Sequence, residues 1–130
     1  EEGIWTPDFQ GTGGSAGASA TSAGQATYTK IGRLVTFQAD CAWTNQGSWT
    51  GNAVLTGLPF AAVGNASGCF FGVVKYIDLK GGTWLTGQIT TTGQIVNFVE
   101  GNDDGDDIKL VVGAWDNGSN SLNINGRYIT

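Results

Sequence analysis

The densest group of side chains that could do chemistry is an acidic run at residues 102–107 of the 130-residue sequence. Hard cations such as Ca²⁺ bind several oxygen ligands supplied by a flexible loop, so one interpretation is a calcium site. The run lacks the length and the final Glu of an EF-hand loop. The interpretation we favour is a solvated hairpin tip in which Gly105 adopts a positive φ. On this interpretation we expect no cofactor. On the calcium interpretation, the candidate Ca²⁺ ligands are Asp103, Asp104, Asp106 and Asp107.

Tryptophan is the second unusual feature, with five in the chain. Trp49, Trp84 and Trp115 lie at or beside turn signals, and Asn117 follows the last of them. An exposed ring beside amide side chains can stack on a sugar while its neighbours bond the hydroxyls. These four residues are our candidate ligand site. The alternative is that each ring is buried at one end of the hydrophobic core. We expect Trp5 to be buried in this way.

Catalysis is disfavoured because the sequence contains no His, which excludes a His-assisted Ser or Cys nucleophile. Phosphate-cradling loops need a Gly-rich turn that opens a helix, and no helical period is visible here. Glycosidase chemistry needs two convergent carboxylates. The candidate carboxylates are Asp40, Asp78, Glu100 and Asp116. Each is better explained as an outward strand residue or a turn residue, and we therefore expect no enzymatic activity.

Two cysteines, Cys41 and Cys69, both fall in strand-like runs. A disulfide between them is one interpretation, if the protein works outside the cytosol. The interpretation we favour is two buried thiols, since Cys is among the most buried residue types. Two Cys without any His do not supply the four ligands of a structural zinc site.

The elements that must position these side chains are β-strands. In Arg33–Trp43 apolar and polar residues alternate with period 2, and Leu122–Thr130 repeats the pattern. Turn signals separate the other predicted strands, which are Ala26–Ile31, Ala53–Thr56, Cys69–Leu79, Trp84–Thr91, Gln94–Glu100 and Ile108–Trp115.

Eight or nine short antiparallel strands predict an all-β fold, a β-sandwich or jelly roll. The length fits one domain over residues 1–130. We expect residues 1–25 to form an opening strand followed by a loop, because Gly11–Gly24 consists almost entirely of Gly, Ser, Ala and Thr.

Composition limits the partners. Charged residues are 13% of the chain, about half the usual share, and the net charge is −5. The six basic residues are scattered, so we expect no nucleic-acid binding. No apolar run approaches the roughly 18 residues that span a bilayer, and we expect no membrane insertion. Low charge with abundant Gly and Thr favours an extracellular or virion domain, and the opening Glu1-Glu2-Gly3 suggests a part of a longer protein.

Four segments in order resemble the distal domains of bacteriophage tail fibres, tailspikes and related virion appendages: Gly3–Phe9, Ala26–Val35, Gly51–Phe60 and Ile124–Thr130. The resemblance runs from end to end, although residues 61–107 match only as alternating strands. It implies a β-sandwich or jelly-roll tip, usually a homotrimer, that contacts the host surface. Binding residues of the family lie in variable loops, so the resemblance transfers no site residue.

The function that the resemblance implies is host attachment at the tip of a phage fibre, on the virion, with a host cell-surface glycan as ligand. Self-association has support from the residues too, because Phe70-Phe71-Gly72-Val73-Val74 is apolar on both faces of a strand. One alternative is a purely structural fibre part or trimerisation cap. Another is a carbohydrate-binding module of a secreted enzyme, which would be a monomer.

Overall fold

A computed structural model describes residues 1–13, 21–22, 25–43, 50–63, 69–75, 84–90, 95–101, 108–109 and 120–130. Within these ranges the chain is all-β, and it contains no helix long and apolar enough to cross a membrane. The strands are β1 (Glu2–Ile4), β2 (Asp8–Gly11), β3 (Thr21–Ser22), β4 (Thr27–Ile31), β5 (Leu34–Trp43), β6 (Ala53–Thr56), β7 (Cys69–Lys75), β8 (Trp84–Thr90), β9 (Ile95–Gly101), β10 (Ile108–Lys109) and β11 (Asn120–Ile129).

Alternation of apolar and polar residues explains the two longest strands. In β5, Val35 and Phe37 are buried, while Thr36 between them and Gln38 after them are exposed. Successive side chains of a strand point to opposite faces, so one face enters the core and the other meets solvent. β11 follows the same rule, with buried Leu122, Ile124 and Tyr128 alternating with exposed Asn123, Asn125 and Arg127.

Antiparallel pairing joins the strands in the order β1-β4-β5-β11-β7-β8-β9-β6-β2, with β3 attached to β5 and β10 to β9. β5 and β11 pair without interruption from Leu34↔Ile129 to Trp43↔Asn120. β7 and β8, although described along their whole lengths, pair at two positions only, Cys69↔Gln88 and Phe70↔Gly87.

The linker between β1 and β2 shows that the sheet folds back on itself. β1 and β2 lie at opposite ends of the strand order, yet only Trp5, Thr6 and Pro7 separate them. A linker of this length spans at most about 14 Å, so the two ends of the sheet must approach each other. One buried cluster accordingly contains residues of both halves, such as Phe37 and Phe98. The prediction of an antiparallel β-sandwich is confirmed.

Two contacts hold the linker in place. The Trp5 backbone N–H donates to the Ala26 carbonyl at 3.0 Å, and the buried Trp5 ring packs edge-on against Phe37 at 5.7 Å between centroids. Gly57 has φ +84° and lies so close to the linker that a Cβ there would collide with the Thr6 carbonyl oxygen. The sequence-based placement of Trp5 in the core is therefore confirmed.

The predicted strand count and the opening segment need correction. The described ranges hold eleven strands rather than eight or nine. The opening segment contains three short strands, and the Gly-rich stretch ends by pairing Thr21 and Ser22 with β5. A strand of two to four residues is too short to show a period-2 pattern, which is why the sequence did not reveal them.

The two cysteines do not form an intrachain disulfide. Cys41 is a buried free thiol. The register places Cys41 opposite Leu122, and Leu122 opposite Val74. Because Val74 lies five residues from Cys69 along β7, the two cysteines are separated by about 17 Å in the strand direction. A disulfide requires Cα atoms within about 7 Å, so the favoured interpretation of Cys41 as a buried thiol is confirmed.

Candidate functional site

The residues singled out from the sequence fall largely outside the described ranges. Trp49, Trp115, Asn117 and the acidic run at 102–107 are not among the described residues. Trp84 begins β8, where its backbone pairs with Gly101. The turn-aromatic site and the calcium site therefore remain predictions.

A different candidate site lies on the solvent face of the layer formed by β4, β5 and β11. The register aligns outward residues of the three strands in rows that run across the sheet. One row is Thr27, Gln38 and Asn125, and the next contains Asp40 and Asn123. Cβ atoms of directly opposed residues lie about 4.5–5.5 Å apart, so the side chains of a row can contact one ligand together.

Two adjoining open depressions, each of about 250 Å³, lie on this face. Gln38 and Asn125 line both, and they therefore mark the centre of the site. The first is rich in amides and is lined by Gln25, Gln38, Ala39, Asp40, Asn123, Ile124 and Asn125. The second is rich in hydroxyls and is lined by Thr27, Tyr28, Thr29, Thr36, Phe37, Gln38 and Asn125.

Hydrogen bonds orient part of the site. Gln38 Nε2 donates to Thr27 Oγ1 at 3.1 Å, which fixes the plane of the amide and uses one of its two hydrogens. Thr36 Oγ1 donates to the Thr29 carbonyl at 3.3 Å. Among the described residues, the side chains of Asn123 and Asn125 make no hydrogen bond to protein, and both are exposed. Each amide can therefore donate and accept at once toward a ligand.

The layer beneath the site is rigid because each site residue alternates with a core residue. Ala39 and Ile124, whose neighbours line the first depression, are both buried. Trp5 Nε1 donates to the Gln38 carbonyl at 3.3 Å, which ties the centre of the site to the core. A site on paired strands holds its side chains in fixed relative positions, so little ordering is needed when a ligand binds.

One phenol borders the second depression. Burial raises the pKa of Tyr28, and the Glu1 carboxylate adds to this effect through its charge and by accepting a hydrogen bond from Tyr28 Oη at 3.2 Å. The phenol therefore stays neutral and acts as a hydrogen-bond donor at neutral pH. The edge-on contact of its ring with Phe60, at 5.3 Å between centroids, fixes its orientation.

The chemistry that this face supports is hydrogen bonding to a polar, uncharged surface. Among the described residues, Asp40 is the only carboxylate that lines either depression. Within the described part of the chain no three His, Cys, Asp or Glu residues converge on a metal position. Amides, hydroxyls and one carboxylate on a firm sheet match the hydroxyl pattern of a saccharide.

A second surface feature is an apolar corner, formed by Ile31, Leu34, Val63 and Ile129. The register opposes Ile31 to Leu34 and Leu34 to Ile129, and the Val63 N–H donates to the Ile129 carbonyl at 3.0 Å. Ile31 is 75% exposed, Val63 49% and Leu34 38%.

The polar face has a signal in the sequence, carried by the outward positions of two strands. In β5 and β11 these positions hold Gln38, Asp40, Asn123 and Asn125, which are side chains with several hydrogen-bonding groups. An ordinary solvent face of a sheet often carries Lys, Glu or Thr, so a concentration of amides is informative. Register is what the sequence does not supply, because β5 and β11 lie far apart in the chain and pair only in the fold.

The fold is an antiparallel β-sandwich, and one of its layers carries a polar face with two open depressions. No protein-family model matches the chain, and no curated protein matches it. A solved structure does match, the crystal structure of Dettilon tailspike protein, with a TM-score of 0.71 and 16% sequence identity. The match covers 99% of this chain and 23% of the tailspike chain. The chain thus has the fold of about a quarter of a phage tailspike protein.

Proposed function

We propose that this chain is a host-attachment domain of a phage tail appendage that binds a cell-surface glycan and does not cleave it. The observation that carries the proposal is the pair of adjoining depressions around Gln38 and Asn125, lined by amides and hydroxyls. The shared fold of a tailspike segment supports the setting, a virion appendage exposed outside the cell. The low share of charged residues agrees with that setting.

Attachment by such a face is weak for one copy and strong for several. An open polar site gives a Kd on the order of 1 mM, which corresponds to about 4 kcal/mol. Linked copies that engage one cell raise the overall affinity by a factor of about 100 to 10,000 without any new contact. We therefore propose that the domain acts as a homotrimer.

Cell binding tests the site. We expect the fluorescently labelled chain to bind some members of a strain panel that differs in surface polysaccharide. Asn123→Ala combined with Asn125→Ala should weaken that binding at least about tenfold, because it removes two exposed amides from the centre of the site. Gln88→Ala, which removes an exposed amide from the other layer, is the matched control and should bind like the wild type.

Treatment of the cells identifies the kind of receptor. Periodate cleaves vicinal diols of sugars and should abolish binding, whereas protease treatment should leave it intact. Binding to no strain, or binding that survives periodate, would contradict the proposal. Release of sugar from the bound cells would contradict its non-catalytic part.

The apolar corner supports self-association and favours a second candidate function, a structural trimerisation cap. Three exposed aliphatic side chains meet there, next to the exposed Arg33 and close to Glu1 and Glu2 at the β1 edge. An apolar centre with both charge signs at its rim suits contact with another copy of the chain, because each sign can meet the other across the interface. The cap would assemble as the attachment domain does but bind no glycan.

Assembly is tested by the mass in solution. We expect light scattering to give three times the 13.5 kDa of one chain. Ile31→Glu should shift the mass toward one chain, because it places a charge in the buried contact. Gln88→Glu adds the same charge to the other layer and should leave the assembly unchanged. A wild-type mass of one chain at micromolar concentration would contradict the trimer and favour a carbohydrate-binding module of a secreted enzyme.

A further inference from the structure

We propose that the glycan site continues past the two depressions to the edge of the sheet, where Ile4 of β1 contacts a methyl group of the ligand. This inference rests on the proposed function, because it names the class of sugar that the same site takes. That class is sugars with a methyl group, either the terminal methyl of a deoxyhexose or the methyl of an acetyl substituent. Its starting point is an aliphatic side chain that is 67% exposed although it lies in line with the polar site.

Ile4 belongs to the row of the sheet that passes through the centre of the site. β1 pairs Ile4 with Thr27, and β4 pairs Thr27 with Gln38. β5 in turn pairs Gln38 with Asn125. Residues opposed in this way share one face of the sheet. Neighbouring strands lie about 4.8 Å apart, so the row measures roughly 14 Å from Ile4 to Asn125. A ligand that fills the depressions and runs across the strands toward β1 therefore reaches Ile4.

Backbone pairing brings Ile4 close to the Thr27 hydroxyl. The Trp5 N–H donates to the Ala26 carbonyl at 3.0 Å, and hydrogen-bonded and non-hydrogen-bonded pairs alternate along antiparallel strands. Ile4 and Thr27 therefore form a non-hydrogen-bonded pair, the kind whose Cα atoms lie about 4.5 Å apart and whose side chains are closer. Thr27 Oγ1 accepts the hydrogen bond from Gln38 Nε2, so this hydroxyl keeps its own hydrogen to donate. One sugar unit can thus contact Ile4 with a methyl group and Thr27 with an oxygen.

β1 is fixed against β4 along its whole length. One end is tied by the Trp5 bond just described, and at the other end the Lys30 N–H donates to the Glu1 carbonyl at 2.7 Å. Between them Gly3 lies against the Tyr28 ring, where a Cβ would come within 2.7 Å of the phenol oxygen. The strand therefore presents its exposed side chain at a constant distance from the site.

An exposed aliphatic side chain beside a hydroxyl discriminates between sugar substituents. A sugar hydroxyl placed against Ile4 loses its hydrogen bonds to water and finds no partner on the aliphatic chain. A methyl group in the same place removes apolar surface from water, which strengthens binding about fourfold. We therefore expect a preference for a deoxyhexose over the hexose of the same stereochemistry, or for an N-acetylhexosamine over the corresponding hexose.

The position of Ile4 separates it from the apolar corner. Thr27 and Ile31 are about 13 Å apart along β4, and the exposed Glu2 lies opposite Thr29 in the row between them. Ile4 therefore continues the polar site and not the corner. The alternative occupant is a strand of another copy, because β1 is the first strand in the sheet order. The mass of the variant in solution distinguishes the two.

The test is a titration with soluble oligosaccharides in matched pairs, which report the affinity of one site whatever the number of copies. In one arm the pairs exchange L-rhamnose for L-mannose or L-fucose for L-galactose at the terminal unit. In the second arm they exchange N-acetylglucosamine for glucose. We expect the methyl-bearing member to bind about fourfold more tightly in one of the two arms, and that arm identifies the source of the methyl group.

Three variants separate the contribution of Ile4 from that of the polar groups. Ile4→Ala should abolish the preference while the affinity for the sugar without the methyl group stays within about twofold of wild type. Gln38→Ala should weaken binding of both members about fivefold and keep the preference, because it removes a hydrogen bond common to both. Ile31→Ala removes the same exposed side chain from the apolar corner and is the matched control, with wild-type affinity and preference.

Each remaining outcome contradicts the inference. Equal affinities in both arms would overturn it, as would an Ile4→Ala chain that retains the full preference. A lower mass in solution for Ile4→Ala than for wild type would assign Ile4 to a contact between copies and overturn it as well. Binding to cells but to none of the oligosaccharides would overturn it while the attachment function stands, and binding to neither cells nor sugars would overturn both.

Discussion

Replacing Phe98 with alanine is expected to lower the free energy of unfolding by about 3–5 kcal/mol. Phe98 has no exposed surface, and its ring stacks on Phe9 at 5.4 Å between centroids. Phe9 belongs to β2 and Phe98 to β9, so the pair fastens the last strand of the sheet to the core. Small domains have a total stability of about 5–15 kcal/mol, and the variant would approach its unfolding limit at room temperature.

Urea unfolding followed by tryptophan fluorescence measures this loss. Val63→Ala removes methyl groups from a side chain that is 49% exposed, and its loss should stay below about 1 kcal/mol. A loss below about 1 kcal/mol for Phe98→Ala would mean that this stack does not fasten β2 to the core. Unchanged slopes of the unfolding curves would show that both variants unfold from the same compact state.

The sequence predicted the long strands because their residues obey one local rule. β5 and β6 begin and end at, or within one residue of, the predicted bounds, and β8 and β9 do so too. Alternation is a property of neighbouring residues, so it can be recognised without knowing any partner strand. The short strands β1 and β3 depend on their partners, which the sequence does not specify.

Strand order could not be predicted from the sequence for a related physical reason. β11 is the last strand in the sequence, yet it lies between β5 and β7 in the sheet. At its end the Thr130 N–H donates to the Arg33 carbonyl at 2.8 Å, which joins residues far apart in the chain. Such pairing is decided by which apolar faces cover one another in the closed sandwich. The resemblance to virion appendages indicated the correct fold class, but no residue pattern indicated the order.

The candidate site could not be predicted from unusual residue types, which pointed instead to tryptophans at turns. The outward amides of β5 and β11 are a signal in each strand, but neither strand alone shows that Gln38 and Asn125 lie together. Their significance comes from the register that places them side by side and from the Thr27 contact that orients Gln38. A site of this kind can be predicted from sequence only after the pairing of its strands is known.

The buried thiol of Cys41 leads to the second large effect, a loss of stability in alkali. Burial raises the pKa of Cys41 from 9.0 to about 12, and the neighbouring Asp40 charge adds to the shift. Burial also raises the pKa of Tyr128. The hydrogen bond that the Tyr128 oxygen accepts from the Phe60 N–H at 3.1 Å acts in the opposite direction but is the smaller effect. In both cases the folded state holds its proton more firmly than the unfolded chain does.

The direction of the pH dependence follows from that difference. Below pH 9 the Cys41 thiol is protonated in both states, and its contribution to stability is fully present. Between pH 9 and about 12 the unfolded chain loses the proton and the folded protein keeps it, so stability falls by about 1.4 kcal/mol per pH unit.

Urea unfolding at pH 8, 9, 10 and 11 measures the slope. Cys41→Ala removes the thiol but keeps every tyrosine, and its stability should therefore fall less steeply over the same range. Equal slopes in the two proteins would contradict the raised pKa of Cys41 in the folded state.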